Sequence, residues 1–193
     1  EVGPDGIDLG SVTLPYRPML GVIGVAPAEG SVPTVAPGRH GGNLDCILVR
    51  QGATVFLPVS VTGALFAAGD MHAAMGDGEI SGTGIEVPGT ALLQLRVVRD
   101  FPVTTPWVDT GDILAVICAG ETLEAASREA CHLAIGLLGE RLGLDFEDAY
   151  MLAGSALRLR ICQVVNPLYT VRAEIPKWVL GKSGAQREPE VKA

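Results

Sequence analysis

Positive charge is in short supply. The 193 residues hold 14 Lys and Arg against 22 Asp and Glu, a net charge of -8, and the basic residues are dispersed without a cluster. That balance excludes a nucleic-acid backbone or an anionic membrane surface as the partner. Cys46, Cys118, Cys131 and Cys162 form no CxxC pair and no Cys/His metal spacing. Three of them sit inside apolar runs (CILV, AVICAG, RICQVV), where a free thiol acts as a small buried hydrophobe. Free thiols point to a reducing, cytoplasmic compartment. No apolar run approaches the roughly 20 residues of a membrane span, and no signal peptide is visible. There is no HExxH or GxSxG motif, no internal repeat and no low-complexity stretch. Ser60, Ser81 and Ser155 lack a nucleophile-elbow context. GDGEISGTG lacks the Lys-Ser/Thr ending of a phosphate loop. The first residue is Glu1 and not Met, so the sequence reads as a processed product or one piece of a larger polypeptide.

What is present is apolar and rich in turns. Hydrophobic residues make up 48% and charged residues 19%, with a mean hydropathy of +0.35. A chain of this length buries its own core as one domain. The apolar excess suits an oligomer or a partner chain. Gly 25 and Pro 13 imply many turns and few long helices. Residues 1–17 read as a lead-in or linker, 18–180 as the domain, and 181–193 as a polar tail. Strands are expected at Met19–Ala26, Cys46–Arg50, Thr54–Val61, Ala91–Arg99, Ile113–Cys118, Leu157–Val165 and Tyr169–Ile175, with Gln51-Gly52-Ala53 and Asn166-Pro167 as turns. One long helix follows Leu123, where apolar residues recur with a 3.6-residue period to Leu142. Thr122 is its N-cap and Gly143 its stop. A short second helix, Phe146–Ala153, is capped by Asp145. Consecutive strands with helices confined to 122–153 predict a mainly β (α+β) fold, an antiparallel β-sandwich with one long and one short helix between strands.

The polar residues concentrate in two glycine-rich loops. The first reads PGRHGGNLD, with Arg39, His40, Asn43 and Asp45. The second reads GDMHAAMGDGEISGTGIE, with Asp70, His72, Asp77, Glu79 and Glu86. Glycines let the backbone adopt φ > 0, so side chains converge on one point. Three explanations compete. Imidazole and carboxylates suit a divalent ion that activates water; Asp70 and His72, two apart, share a face of an extended backbone. Alternatively, a Glu or Asp is a general base without metal. In the third, the polar groups only cap loop backbone.

The pattern MLGVIGVAP, PGRHGGNLD, LPV with GALF, GDMH, GDGE and GTGIE, over about 18–176 and closing with VVNPLYTVRAEIP, resembles the acetamidase/formamidase family. The combination of GGNxD with GDxHxxxGxGE is specific. The resemblance implies a β-sandwich hydrolase that splits short linear or cyclic amides, a divalent metal (zinc) near these loops, and a homo-oligomer. It carries over to Asn43, Asp45, Asp70, His72, Glu79 and Glu86. Asp45 and His72, supported by Asp70, are assigned to the metal, Glu79 or Glu86 to general-base work, and His40 and Asn43 to substrate binding. Family members are longer at the N-terminal side, so a second polypeptide supplying that portion is expected. The competing reading is a non-catalytic binding or assembly subunit of a heteromeric amidase.

Overall fold

The computed structural model describes residues 2–3, 6–99 and 103–181. The strands, in chain order, are β1 Val2–Gly3, β2 Gly6–Asp8, β3 Thr13–Leu14, β4 Met19–Gly24, β5 Pro37–Gly38, β6 Gly41–Asn43, β7 Thr54–Phe56, β8 Ala67–His72, β9 Trp107–Asp109 and β10 Ile113–Gly120. Helices α1 Leu123–Leu142 and α2 Phe146–Ala156 follow, then β11 Arg158–Gln163 and β12 Tyr169–Pro176. All pairings between these strands are antiparallel. They build a five-stranded sheet in the order β11-β12-β10-β9-β7, a four-stranded sheet in the order β5-β6-β4-β8, and a small sheet of β1-β2-β3.

Strand β10 shows why the larger sheet is central. Its sequence, ILAVICAG, is apolar at every position through Ala119, and the period of two sends alternate side chains to opposite faces. Leu114, Val116 and Cys118 join Ala130, Ala134, Ile135 and Leu138 of α1 in one core. Ala115 and Ile117 join Ile23, Leu44, Cys46, Leu48 and Val49 in a second core on the other face. The sheet is thus covered by helices on one side and by the smaller sheet with its 44–49 segment on the other.

The helices follow their local signals. Thr122 Oγ1 accepts from the Ala125 amide at 3.1 Å and Asp145 Oδ1 from the Asp148 amide at 2.9 Å, satisfying amides that have no partner inside the helix. Gly143 ends α1 at φ 67°, a conformation glycine adopts without a Cβ penalty.

Two expected strands are absent. Cys46–Arg50 is a buried run of turns, with Val49 N donating to Cys46 O at 2.9 Å and Arg50 N to Leu48 O at 2.9 Å. The left-handed backbone at Asp45 (φ 45°) breaks extension there, and apolarity alone does not separate a buried turn from a strand. Ala91–Arg99 has strand composition but no regular structure; Leu92 is fully exposed and Val97 77% exposed. A strand requires a backbone to pair with, and among the described residues this segment pairs with none. Conversely, Ala67–His72 is a strand where a loop was expected, and Val2–Gly3, Gly6–Asp8 and Thr13–Leu14, within the expected lead-in, form the small sheet. Trp107 is core, whereas Trp178 is 76% exposed. Residues 182–193 of the expected tail lie outside the described residues.

Candidate active site

The site is built where β4, β6 and β8 adjoin the end of β11. In the β4–β8 ladder, Leu20 faces Met71 and Val22 faces Gly69, which sets Gly21 beside Asp70. Asp45 N donates to Gly21 O at 3.1 Å. A Cβ on Gly21 would run into Asp70 Oδ2 and come within 2.5 Å of Asp45 Oδ1. The missing side chain is therefore what lets two carboxylates occupy one pocket. At the end of β8, residues 85–87 add further backbone pairing: Ala73 N donates to Ile85 O at 2.7 Å and Val87 N to Met71 O at 2.9 Å. This register puts Glu86 opposite His72. The imidazole lies against the Gly84 backbone, where a Cβ would sit 2.5 Å from Nδ1.

Glu79 arrives on a tight turn. Glu79 N donates to Gly76 O at 3.2 Å, Gly78 N to Cys162 O at 2.9 Å, and Val164 N to Gly78 O at 3.1 Å. The turn is thereby fastened to the end of β11. Five non-glycine residues among those described have positive φ, and three of them are Asp45 (45°), Asp70 (57°) and Glu79 (45°). Left-handed backbone at a non-glycine residue costs on the order of 1–3 kcal/mol and concentrates at functional sites. Here it falls on the acidic groups that converge.

Asp45, His72 and Glu79, all buried, offer ligand atoms within 4.8 Å of one another, and Asp70, His72 and Glu86 form a second such group sharing the histidine. His72 Nε2 lies 3.3 Å from Asp70 Oδ1 and 3.5 Å from Glu86 Oε1, yet neither ring nitrogen has an aligned hydrogen-bond partner. Asp45 Oδ1 and Asn43 Oδ1 are likewise buried without a partner. Burial, followed by the charge of Asp45, pushes the Glu79 carboxyl up to about 7. Burial also raises Asp70, and raises Asp45 against the opposing hydrogen bond from Asn166.

This donor set fits a divalent cation. A histidine that is 1% exposed with both nitrogens unsatisfied is costly unless something occupies it. Neighbouring buried carboxylates repel one another without a counter-charge. Imidazole and carboxylate are ligands that zinc takes.

Of the residues singled out in the sequence, Asp45, Asp70, His72, Glu79 and Glu86 come together. Asn43 sits on β6 opposite Val22, its Nδ2 reaching Val35 O at 3.5 Å. His40 belongs to neither donor group. It lines a separate depression of about 770 Å³ with Arg39, Phe56, Pro58 and Val97, among others, and none of the five converging residues lines it. Asp77 turns away to Arg172.

Sequence reading missed Gly21, Gln163 and Asn166. Asn166, read only as a turn residue, donates through Nδ2 to Asp45 Oδ2 at 2.7 Å. A signal was available in RICQVV, where a carboxamide within an apolar run demands buried partners.

Comparison with known proteins places the chain in a family. Residues 26–180 match the family model described as the Acetamidase/Formamidase family. A formamidase from Methylophilus methylotrophus is 32% identical over 152 residues, 68% of this chain and 37% of that protein. The structure of an acetamidase from Bacillus halodurans superposes with a TM-score of 0.87 at 42% identity, covering 91% of this chain and 59% of that one. An acetamidase structure from Yersinia enterocolitica gives a TM-score of 0.81 at 31% identity, covering 90% and 52%. The chain thus spans little more than half the length of these solved relatives and about a third of the formamidase. On the family match over 26–180 and the shared fold, the chain belongs to the acetamidase/formamidase family.

Proposed function

We propose that this chain carries the catalytic centre of a hydrolase that cleaves the C–N bond of small amides, linear or cyclic. The observation that supports this most is the convergence of Asp45, Asp70, His72, Glu79 and Glu86 around an imidazole with no aligned hydrogen-bond partner. The formamidase and acetamidases that the chain resembles favour amides as the substrate class.

Asp45 and His72, with Asp70 in support, would hold a divalent cation, zinc by ligand type. Bound there, such an ion supplies Lewis acidity toward water and carbonyl oxygen. Glu79 is the general base: a carboxyl held at about 7 accepts a proton near neutral pH and gives it up again. In the reaction, a water oxygen bonds to the amide carbon as Glu79 takes one water proton. Glu79 passes that proton to the departing nitrogen as the C–N bond breaks, and the carboxylic acid formed gives up its remaining water proton to the ammonia (or to the amino end of an opened ring), leaving a carboxylate and an ammonium. Glu86 stands at the more exposed side, its Oε1 accepting from Thr83 Oγ1 at 3.0 Å, and is the alternative base. Asn43, with a buried unpartnered Oδ1, orients the amide N–H.

The functional unit is proposed to include further polypeptide: a homo-oligomer, and a second chain or segment supplying what the longer relatives carry. The unpaired apolar 91–99 segment supports such a partner. Among the described residues no helix is long and apolar enough to cross a membrane; a cytoplasmic location is proposed from the four free thiols. The exposed segment also favours the second reading, a non-catalytic assembly subunit, which predicts amide binding without turnover.

The test is ammonia or acid release from a panel of short amides and lactams, with divalent metal and any partner chain supplied. Turnover that chelators suppress supports the proposal. No product from any member of the panel rejects it.

A further inference from the structure

The end of β11 holds polar contacts that the proposed reaction does not use. Gln163 is fully buried. Its Oε1 accepts from the amides of Val165 and Asn166 at 2.8 and 2.9 Å, and its Nε2 donates to Leu168 O at 2.7 Å. A buried carboxamide with both ends engaged fixes the 164–168 turn. Asn166 is on that turn, and its Nδ2 donates to Asp45 Oδ2 at 2.7 Å. One carboxylate oxygen of Asp45 is thereby occupied, while Oδ1 stays buried without a partner. Asp45 itself sits on strained backbone with φ 45°, so its side-chain direction depends on what grips it from outside.

We propose that Asn166 is a positioning residue that holds Asp45 Oδ2 so that Oδ1 remains the free donor for a cation, and that Gln163 sets Asn166 in place. The inference rests on the metal-binding reading of the site. Outer hydrogen bonds to a ligating carboxylate fix its orientation, and losing one weakens metal binding about 10–100-fold. The same strand end also holds the turn that delivers Glu79, through the backbone bonds of Cys162 O and Val164 N to Gly78.

The experiment measures Zn²⁺ and Co²⁺ affinity of the full chain by competition with a chromophoric chelator, alongside the Tm of the chelator-treated protein. Co²⁺ absorption reports ligand geometry. For Asn166→Ala, affinity is expected to fall about 10–100-fold, with a changed Co²⁺ spectrum and a metal-free Tm within a few degrees of the parent. Gln163→Met should produce the same loss; because Gln163 is buried and that variant can fail to fold, Asn166→Ala decides the matter by itself. Parental affinity in Asn166→Ala, or a loss that only tracks a lowered metal-free Tm, overturns the positioning role. If the parent chain binds neither ion, the metal reading itself fails and this inference falls with it. A parent that binds beside an Asn166→Ala that binds equally well sinks the inference alone.

Discussion

Arg172 grips both carboxylate oxygens of Asp77, Nη1 to Oδ1 at 2.7 Å and Nη2 to Oδ2 at 3.0 Å, and Asp77 stands two residues before Glu79. The guanidinium is 2% exposed on β12, and its Nε donates to Glu174 Oε1 at 2.7 Å. Strand β12 therefore anchors the turn that presents Glu79, the proposed general base. Asp77→Ala leaves a buried cation with one carboxylate partner instead of two. Removing one member of a fully buried pair costs about 3–5 kcal/mol; with Asp77 34% exposed, a loss of about 2–3 kcal/mol is expected. Urea unfolding midpoints measure it. Hydrolysis should fall further than the loss of folded protein explains.

Gly21→Ala tests the pocket's construction. The backbone of Gly21 is outside the left-handed region, so alanine suits the chain direction, and the nearest clashes are with the carboxyl groups of Asp70 and Asp45. Metal affinity is expected to drop by at least about tenfold, the scale set for disturbed ligand geometry, while Gly69→Ala, whose Cβ would meet nothing within 4 Å, leaves affinity unchanged. Chelator competition on both variants compares them; equal affinities would remove the crowding argument.

His72→Ala and Glu79→Gln should each reduce amide hydrolysis by about 10²–10⁴-fold, the range general-base catalysis supplies, with far-UV circular dichroism unaltered. Metal binding separates them. His72→Ala should lose it, and Glu79→Gln should retain most of it. Turnover at the parental rate in either variant removes that residue's assignment.

The pH dependence of stability has a definite sign. The Glu79 carboxyl is raised to about 7 from 4.5, so the folded state favours its protonated form. Its contribution to stability is full below 4.5 and is lost as pH rises through about 7. Chelator-treated protein should therefore lose Tm relative to Glu79→Gln between pH 5 and pH 8. At pH 8 the variant should be the more stable by on the order of 1–3 kcal/mol. A parent-minus-variant difference that is flat over that range contradicts the buried-carboxylate account.

Local signals carried part of the structure into the sequence. The Thr122 and Asp145 caps located both helix starts, and the 3.6-residue period with the glycine stop at 143 gave the extent of the first, because capping and amphipathicity act within a turn or two; the second runs to Ala156, three residues past its expected end, where no glycine marks the stop. The apolar runs at 113–118 and 169–175 marked the central strands. Asp70 and His72 were readable as neighbours from their spacing of two. The segment 91–99 was not, because its composition states a preference for pairing and not whether a partner is at hand. His40 shared a loop with Asn43 and Asp45 yet lines another depression, since loop direction is set by what packs beneath it.

What the sequence determined by itself was the class of fold, both helix starts with the end of the first, and the inventory of acid and imidazole groups. Each depends on interactions between residues close along the chain. Only the tertiary structure decided that Asn166 meets Asp45 across 121 positions, that Arg172 meets Asp77 across 95, and that Gly21 leaves room for two carboxylates. Those contacts arise from strand register and layer packing, which are set by the sum of many side-chain volumes rather than by any local motif.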